Sequence, residues 1–147
     1  MGKIIYMENR IPDEEIITRF EKDLKYVNKN RQLKFSAFIP SKKDPFSISV
    51  YCISDLTKSN KQTEIWAIGD NWVYKSIGKR SVARADLKVD DIRRIKLSKL
   101  EGIYSDTKLM NEYEKRHAEI KINKDSSLDD KKDIALELIK IAKHILR

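Results

Sequence analysis

Two stretches of this chain change sides at every residue, and that rhythm dictates a sheet. In Val82–Val89, Ala83, Ala85, Leu87 and Val89 fall on one side and Arg84, Asp86 and Lys88 on the other. In His117–Ile122, Ala118, Ile120 and Ile122 point one way and His117, Glu119 and Lys121 the other. Successive residues of a strand face opposite sides of its sheet, so each run predicts a strand with one apolar face. Ile48, Val50 and Cys52 share a side of a third such run, Phe46–Ile53, which the turn residues Ser41-Lys42-Lys43-Asp44-Pro45 separate from an expected strand over Leu33–Ile39, stopped by Pro40.

Helical spacing accounts for much of the rest. Pro12 with Asp13, Glu14 and Glu15 reads as the first turn of a helix whose stripe is Ile16, Ile17, Phe20, Leu24 and Val27. Ser54–Gln62 is polar and predicts a loop. Thr63–Ser76 predicts a second helix with Ile65, Ile68, Gly69 and Trp72 on its stripe, Trp66 and Tyr74 off it, and Gly78 at its end. Asp90–Ile95 is either a helical turn or a bend toward a strand near Ile95–Leu97. Ile103-Tyr104 is weakly strand-like, and Leu109–Lys115 fits neither pattern. Ser127-Leu128-Asp129-Asp130 resembles a capping box with Asp in the place of Glu, opening a last helix whose stripe is Ile134, Ala135, Leu138, Ile141, Ala142 and Ile145.

A length of 147 residues suits one domain, expected over 1–147. The expected class is α+β, a largely antiparallel sheet of about four or five strands packed against three helices.

The charge is uneven. The chain carries a net +8, yet Lys22–Lys43 alone is +6, from Lys22, Lys25, Lys29, Arg31, Lys34, Lys42 and Lys43 against Asp23. Lys75–Lys99 is also +6, from Lys75, Lys79, Arg80, Arg84, Lys88, Arg93, Arg94, Lys96 and Lys99 against Asp86, Asp90 and Asp91. On one shared face these windows would bind phosphates with a steep dependence on salt; on separate faces they would only keep the chain in solution.

Several kinds of chemistry are disfavoured. One cysteine, Cys52, allows no intramolecular disulfide and suits a reducing compartment; on its apolar side it reads as a buried thiol. One Cys and two His cannot make a cysteine-rich zinc site, and four glycines in no phosphate-binding pattern leave no cofactor fingerprint. With no apolar signal core and no run of spanning length, the expected location is the cytoplasm, without a membrane.

Three functions remain open. The first is a binding protein for nucleic acid or an acidic protein, through Lys25, Lys29 and Arg31 with Lys75, Lys79, Arg80, Arg93, Arg94 and Lys96. The second is a metal-independent ribonuclease of toxin type, with His117 as proton carrier, Arg84 facing the phosphate and Asp86 orienting, and with Arg116 and Tyr104 in reach. The third is a structural subunit, in a homo-oligomer or a larger complex, that uses Trp66 and Tyr74 as an interface. His144, near the end of the last helix, is accounted for by the helix dipole.

In order along the chain, Arg10-Ile11-Pro12-Asp13-Glu14-Glu15 with Arg19-Phe20, Ala37-Phe38-Ile39-Pro40, Ser49-Val50, Ile65-Trp66-Ala67-Ile68-Gly69, Arg84-Ala85-Asp86-Leu87 and His117-Ala118-Glu119-Ile120 resemble a group of short bacterial proteins of unassigned function. The resemblance runs from about Arg10 to the last helix. It implies a setting, as an accessory in a mobile-element or defence operon, and no activity. Where the group's histidine sits between a proline-asparagine turn and a glycine-tryptophan pair, this chain has Lys115-Arg116 and Lys121-Ile122.

Overall fold

The structure is a computed structural model that describes residues 11–74, 80–105 and 114–147. It is α+β, as expected, with one antiparallel sheet of six strands in the order β4-β5-β2-β1-β3-β6. The strands are β1 (Ile16–Glu21), β2 (Ser47–Cys52), β3 (Ala83–Lys88), β4 (Leu100–Ser105), β5 (His117–Ile122) and β6 (Lys143–Leu146). Among the described residues, four α-helices accompany them: α1 (Ser54–Lys58), α2 (Gln62–Tyr74), α3 (Val89–Arg93) and α4 (Leu128–Ile141).

The sheet is covered on both faces. On the first, Ile17, Ile48, Val50, Ala83, Ala85, Leu87, Ala118 and Ile120 meet Ile134, Ala135 and Leu138 of α4 and Phe38 of a 3₁₀ turn, Phe35–Phe38. On the second, Phe20 and Tyr51 meet Leu56 of α1 and Ile65, Trp66 and Ile68 of α2. Arg19 lies among the apolar residues of the first face and donates to the carbonyls of Ala37 and Ser49, tying the 3₁₀ turn to β2. Burial pushes its guanidinium below the usual range, against the pull of Glu21.

Double cover explains where periodicity misled. The segment expected to be the first helix is β1. Ile16, Thr18 and Phe20 face one layer and Ile17, Arg19 and Glu21 the other; both sides are covered and each mixes apolar with polar residues, so no clean alternation betrayed a strand. Leu33–Ile39 is no strand: Leu33 forms a single bridge with Val27, and Phe35–Phe38 winds into the 3₁₀ turn that buries Ala37 and Phe38 in succession. Ser54–Lys58 is helical rather than a loop, its amides anchored when Leu56 and Thr57 donate to the Ile53 carbonyl. Asp90–Ile95 resolves into α3, and Ile95–Leu97 joins no strand. The last helix stops at Ile141, which moves His144 and Ile145 into β6.

Other expectations hold in detail. The capping box at Ser127 is present with Asp130 as its acid: Ser127 Oγ accepts from the Asp130 amide and Asp130 Oδ2 from the Ser127 amide. The strands expected at Phe46–Ile53, Val82–Val89 and His117–Ile122 are β2, β3 and β5. Most of Leu109–Lys115 lies outside the described residues. Among the described residues, no helix is long and apolar enough to cross a membrane.

Candidate nucleic-acid interface

Arg84 and Asp86 share the second face of β3, but solvent does not reach it there. Arg84 is 1% exposed and Asp86 8%, because α2 lies over them. Arg84 Nε donates to Asp86 Oδ1 at 3.1 Å and Nη2 donates to Gln62 Oε1 at 2.7 Å. Its guanidinium also stands 4.8 Å from the centre of the Trp66 ring, and that of Arg147 stands 5.3 Å from it. The polar side of β3 is thus an internal ion pair roofed by an indole, not an open surface; of its three residues only Lys88 is exposed. Trp66, expected off the core, is buried against Phe20. The side chain of Tyr74 lies outside the described residues.

His117 is on the same face, three strands away. The ladders set Asp86 opposite Thr18, Thr18 opposite Tyr51 and Tyr51 opposite His117. Strand spacing makes that row about 14 Å long. The His117 ring packs 5.5 Å from that of Tyr51, and Phe20 and Tyr51 stand between it and Arg84. Arg84 and Asp86 are therefore together, and His117 is not gathered with them around one phosphate. Arg116, beside it, makes a two-pronged pair with Asp55 at 2.7 and 2.8 Å; Tyr104 is exposed on β4.

The basic windows separate as well. Glu21 pairs with Ala83, and the Val82 amide donates to the Glu21 carbonyl, so Lys22 and Arg80 leave the sheet at one end. Lys88, opposite Ile16, lies at the other end, followed by Arg93 and Arg94. The second window is also largely neutralised in place. Arg80 meets Asp70 at 3.7 Å, Arg94 meets Asp90 at 2.8 Å, Lys99 meets Asp125 at 2.7 Å, and Arg93 holds both Asp13 and the Ile11 carbonyl. Lys96 is exposed, and Lys75 and Lys79 lie outside the described residues.

The first window is different. From Lys22 the chain crosses the first face toward β6 and turns at Asn28–Gln32, where Asn28 Oδ1 accepts from the amides of Asn30 and Gln32 and Arg31 takes a left-handed φ of 64°. This turn holds Lys29, Asn30 and Arg31 out in solvent. Lys25 makes a long, exposed contact with Asp23, at 3.8 Å, and lies 5.1 Å from the centre of the Tyr26 ring. Among the described residues, no ion pair engages Lys29, Arg31, Lys34 or, on the adjoining β6, Lys143.

Beside this loop is a cleft of about 600 Å³ between the Asn28–Ser36 segment and the end of α4. Leu33, Phe35, Leu136 and Ile139 give it apolar walls, and Gln32, Lys34 and Lys140 a polar rim. His144 holds the two sides together. Its Nδ1 accepts from the Leu33 amide at 3.0 Å, which leaves the proton on Nε2, 3.2 Å from the Ile139 carbonyl. Phe35 and Leu136 are large apolar side chains left in solvent, at 36% and 43% exposed.

The fold and this edge define the chain as a small α+β protein with a basic, cleft-bearing rim. No family model, no curated protein and no solved structure matches it.

Sequence reasoning marked Lys25, Lys29, Arg31 and Lys34 but missed Phe35, Leu136, Lys140 and His144 as their neighbours. Reading Leu33–Ile39 as a strand hid the turn that exposes Phe35. The one available signal was Leu136, an apolar residue off the stripe of the last helix.

Proposed function

We propose that this chain is a nucleic-acid-binding protein whose contact surface is the Lys25–Lys34 segment. One observation carries the reading: the cations of this segment are solvated with little or no ion pairing, whereas most described cations of Arg80–Lys99 are matched to carboxylates. A paired cation gives up an existing partner to bind phosphate; a solvated one releases only the counterions it displaces. The cytoplasm and an operon partnership belong to the same reading.

Fluorescence anisotropy with labelled DNA and RNA across a salt series tests it. Wild type binds with an affinity that falls steeply with salt, and charge reversal at Lys29, Arg31 and Lys34 weakens binding and flattens the slope by about 0.7 to 0.9 per lost phosphate contact. Arg94→Glu, at the other end of the sheet, leaves both nearly unchanged. Absence of salt-sensitive binding, or indifference to the reversals, overturns the reading and turns the search to an acidic protein.

A further inference from the structure

We infer that the cleft beside His144 receives an unpaired nucleotide, so that the ligand of this surface is single-stranded. The inference rests on the binding function proposed above and narrows it to one class of nucleic acid.

A duplex offers phosphates on its outside and hides the faces of its bases. The basic loop alone would suit it. The cleft, however, sets apolar surface next to those cations: Phe35 and Leu136 are partly open to solvent, while Lys34 and Lys140 lie at their margins. Phosphates make no use of an exposed phenyl ring, whereas an unpaired base does, since every base has a face that stacks on an aromatic. Among the described residues, no aromatic ring stacks on Phe35 and no cation lies over its face.

The platform is also held in place beforehand. Phe35 opens the 3₁₀ turn whose Ala37 and Phe38 are buried, and Arg19 Nε donates to the Ala37 carbonyl at 3.2 Å. His144 fixes this same lip through the Leu33 amide and ties it to the opposite one at the Ile139 carbonyl. Stacking then requires little ordering of the protein, the condition under which contact area converts to affinity. The volume of about 600 Å³ lies in the range of small-ligand clefts and admits a base with its sugar. Gln32 and Ser36 at the rim bring hydrogen-bonding groups with no fixed donor pattern, which suits tolerance of base identity. The Glu137 carboxylate, which would repel phosphate, is occupied by Lys140 at 3.0 Å.

The test compares a short labelled oligothymidine with a duplex of the same length, by anisotropy across a salt series, for wild type, Phe35→Ala, Phe35→Trp and Lys34→Ala, each checked by circular dichroism for its fold. Wild type should favour the single strand by about tenfold or more, and Phe35→Ala should weaken it by about 5- to 100-fold with the salt slope unchanged, the range for loss of one stacked base. Phe35→Trp should retain the affinity, and Lys34→Ala should lower the slope instead. Equal or tighter binding of the duplex, or a change under about twofold in folded Phe35→Ala, overturns the inference while salt-sensitive binding leaves the general reading standing. Failure to bind either probe at low salt overturns both.

Discussion

Asp86 and His117 occupy the two ends of one cross-strand row, Asp86-Thr18-Tyr51-His117, on a single face of the sheet. Sharing a face is thus not sharing a site. The two side chains are separated by the buried Thr18, whose hydroxyl donates to the Ala85 carbonyl, and by the Tyr51 ring. Effects of His117→Ala and Asp86→Asn on stability should therefore add, with a coupling within about 0.5 kcal/mol. A double-mutant cycle by urea denaturation that returned a larger coupling would show a connection the row does not provide.

The Arg84–Asp86 pair is predicted to act on stability. Asp86→Asn leaves the guanidinium buried without its counter-charge, and should cost about 3 to 5 kcal/mol. Replacing both members by apolar residues, as in Arg84→Met with Asp86→Leu, should restore much of that loss. Chemical denaturation of the three variants decides it: a double variant no more stable than the single one would mean that the pair is needed for itself.

Gly69 is required by its neighbours. A Cβ there would run into the Phe20 ring and Ser81 Oγ, so α2 lies on β1 as closely as a hydrogen allows. Gly69→Ala should destabilise by about 1 to 3 kcal/mol despite the better helix propensity of alanine. A stability equal to wild type in thermal melts would show that the helix can lift away without loss.

The Asp55–Arg116 pair predicts a pH dependence. The Arg116 guanidinium holds the Asp55 carboxyl below its ordinary range. A carboxyl with a depressed folded value stabilises the fold above its unfolded value and loses that contribution as pH falls through the folded one. Asp55→Asn should therefore cost stability at neutral pH and nothing in strong acid. Because the Asp55 side chain is 66% exposed, the cost should be about 1 kcal/mol or less. A deficit that persisted unchanged in acid would assign it to something other than charge.

Cys52 should be inert in the folded protein. Burial pushes its thiol up to about 12, with Glu15 adding to the shift. The thiolate, which is the reactive form, is then scarce at mildly alkaline pH. Alkylation should be slow in native buffer and fast in denaturant; equal rates would count against the packing of β2.

How much of this was legible in the sequence depended on what covered each strand. His117–Ile122 showed its period because Lys121 is exposed and His117 and Glu119 are only partly buried. In β3 the same alternation gave the right strand but the wrong environment, since nothing local announces that α2 will bury Arg84. In β1 even the strand was obscured, because Ile16, Ile17 and Phe20 satisfy a helical spacing as readily as two covered faces. The cleft was the least legible feature. Its walls come from residues far apart in sequence, Phe35 and Leu136, and only the folded chain brings them together.

The ladder order carries a kinetic consequence. Thr18 pairs with Asp86, Val50 with Ala118 and Ala85 with His144, so the central strands find their neighbours across long stretches of chain. Each pairing must close a large loop before its contacts repay the lost entropy, and domains dominated by such contacts fold on the order of milliseconds to seconds. Until β3 inserts between β1 and β6, their edges stand open to other chains, and a newly made copy is most vulnerable to aggregation in that interval.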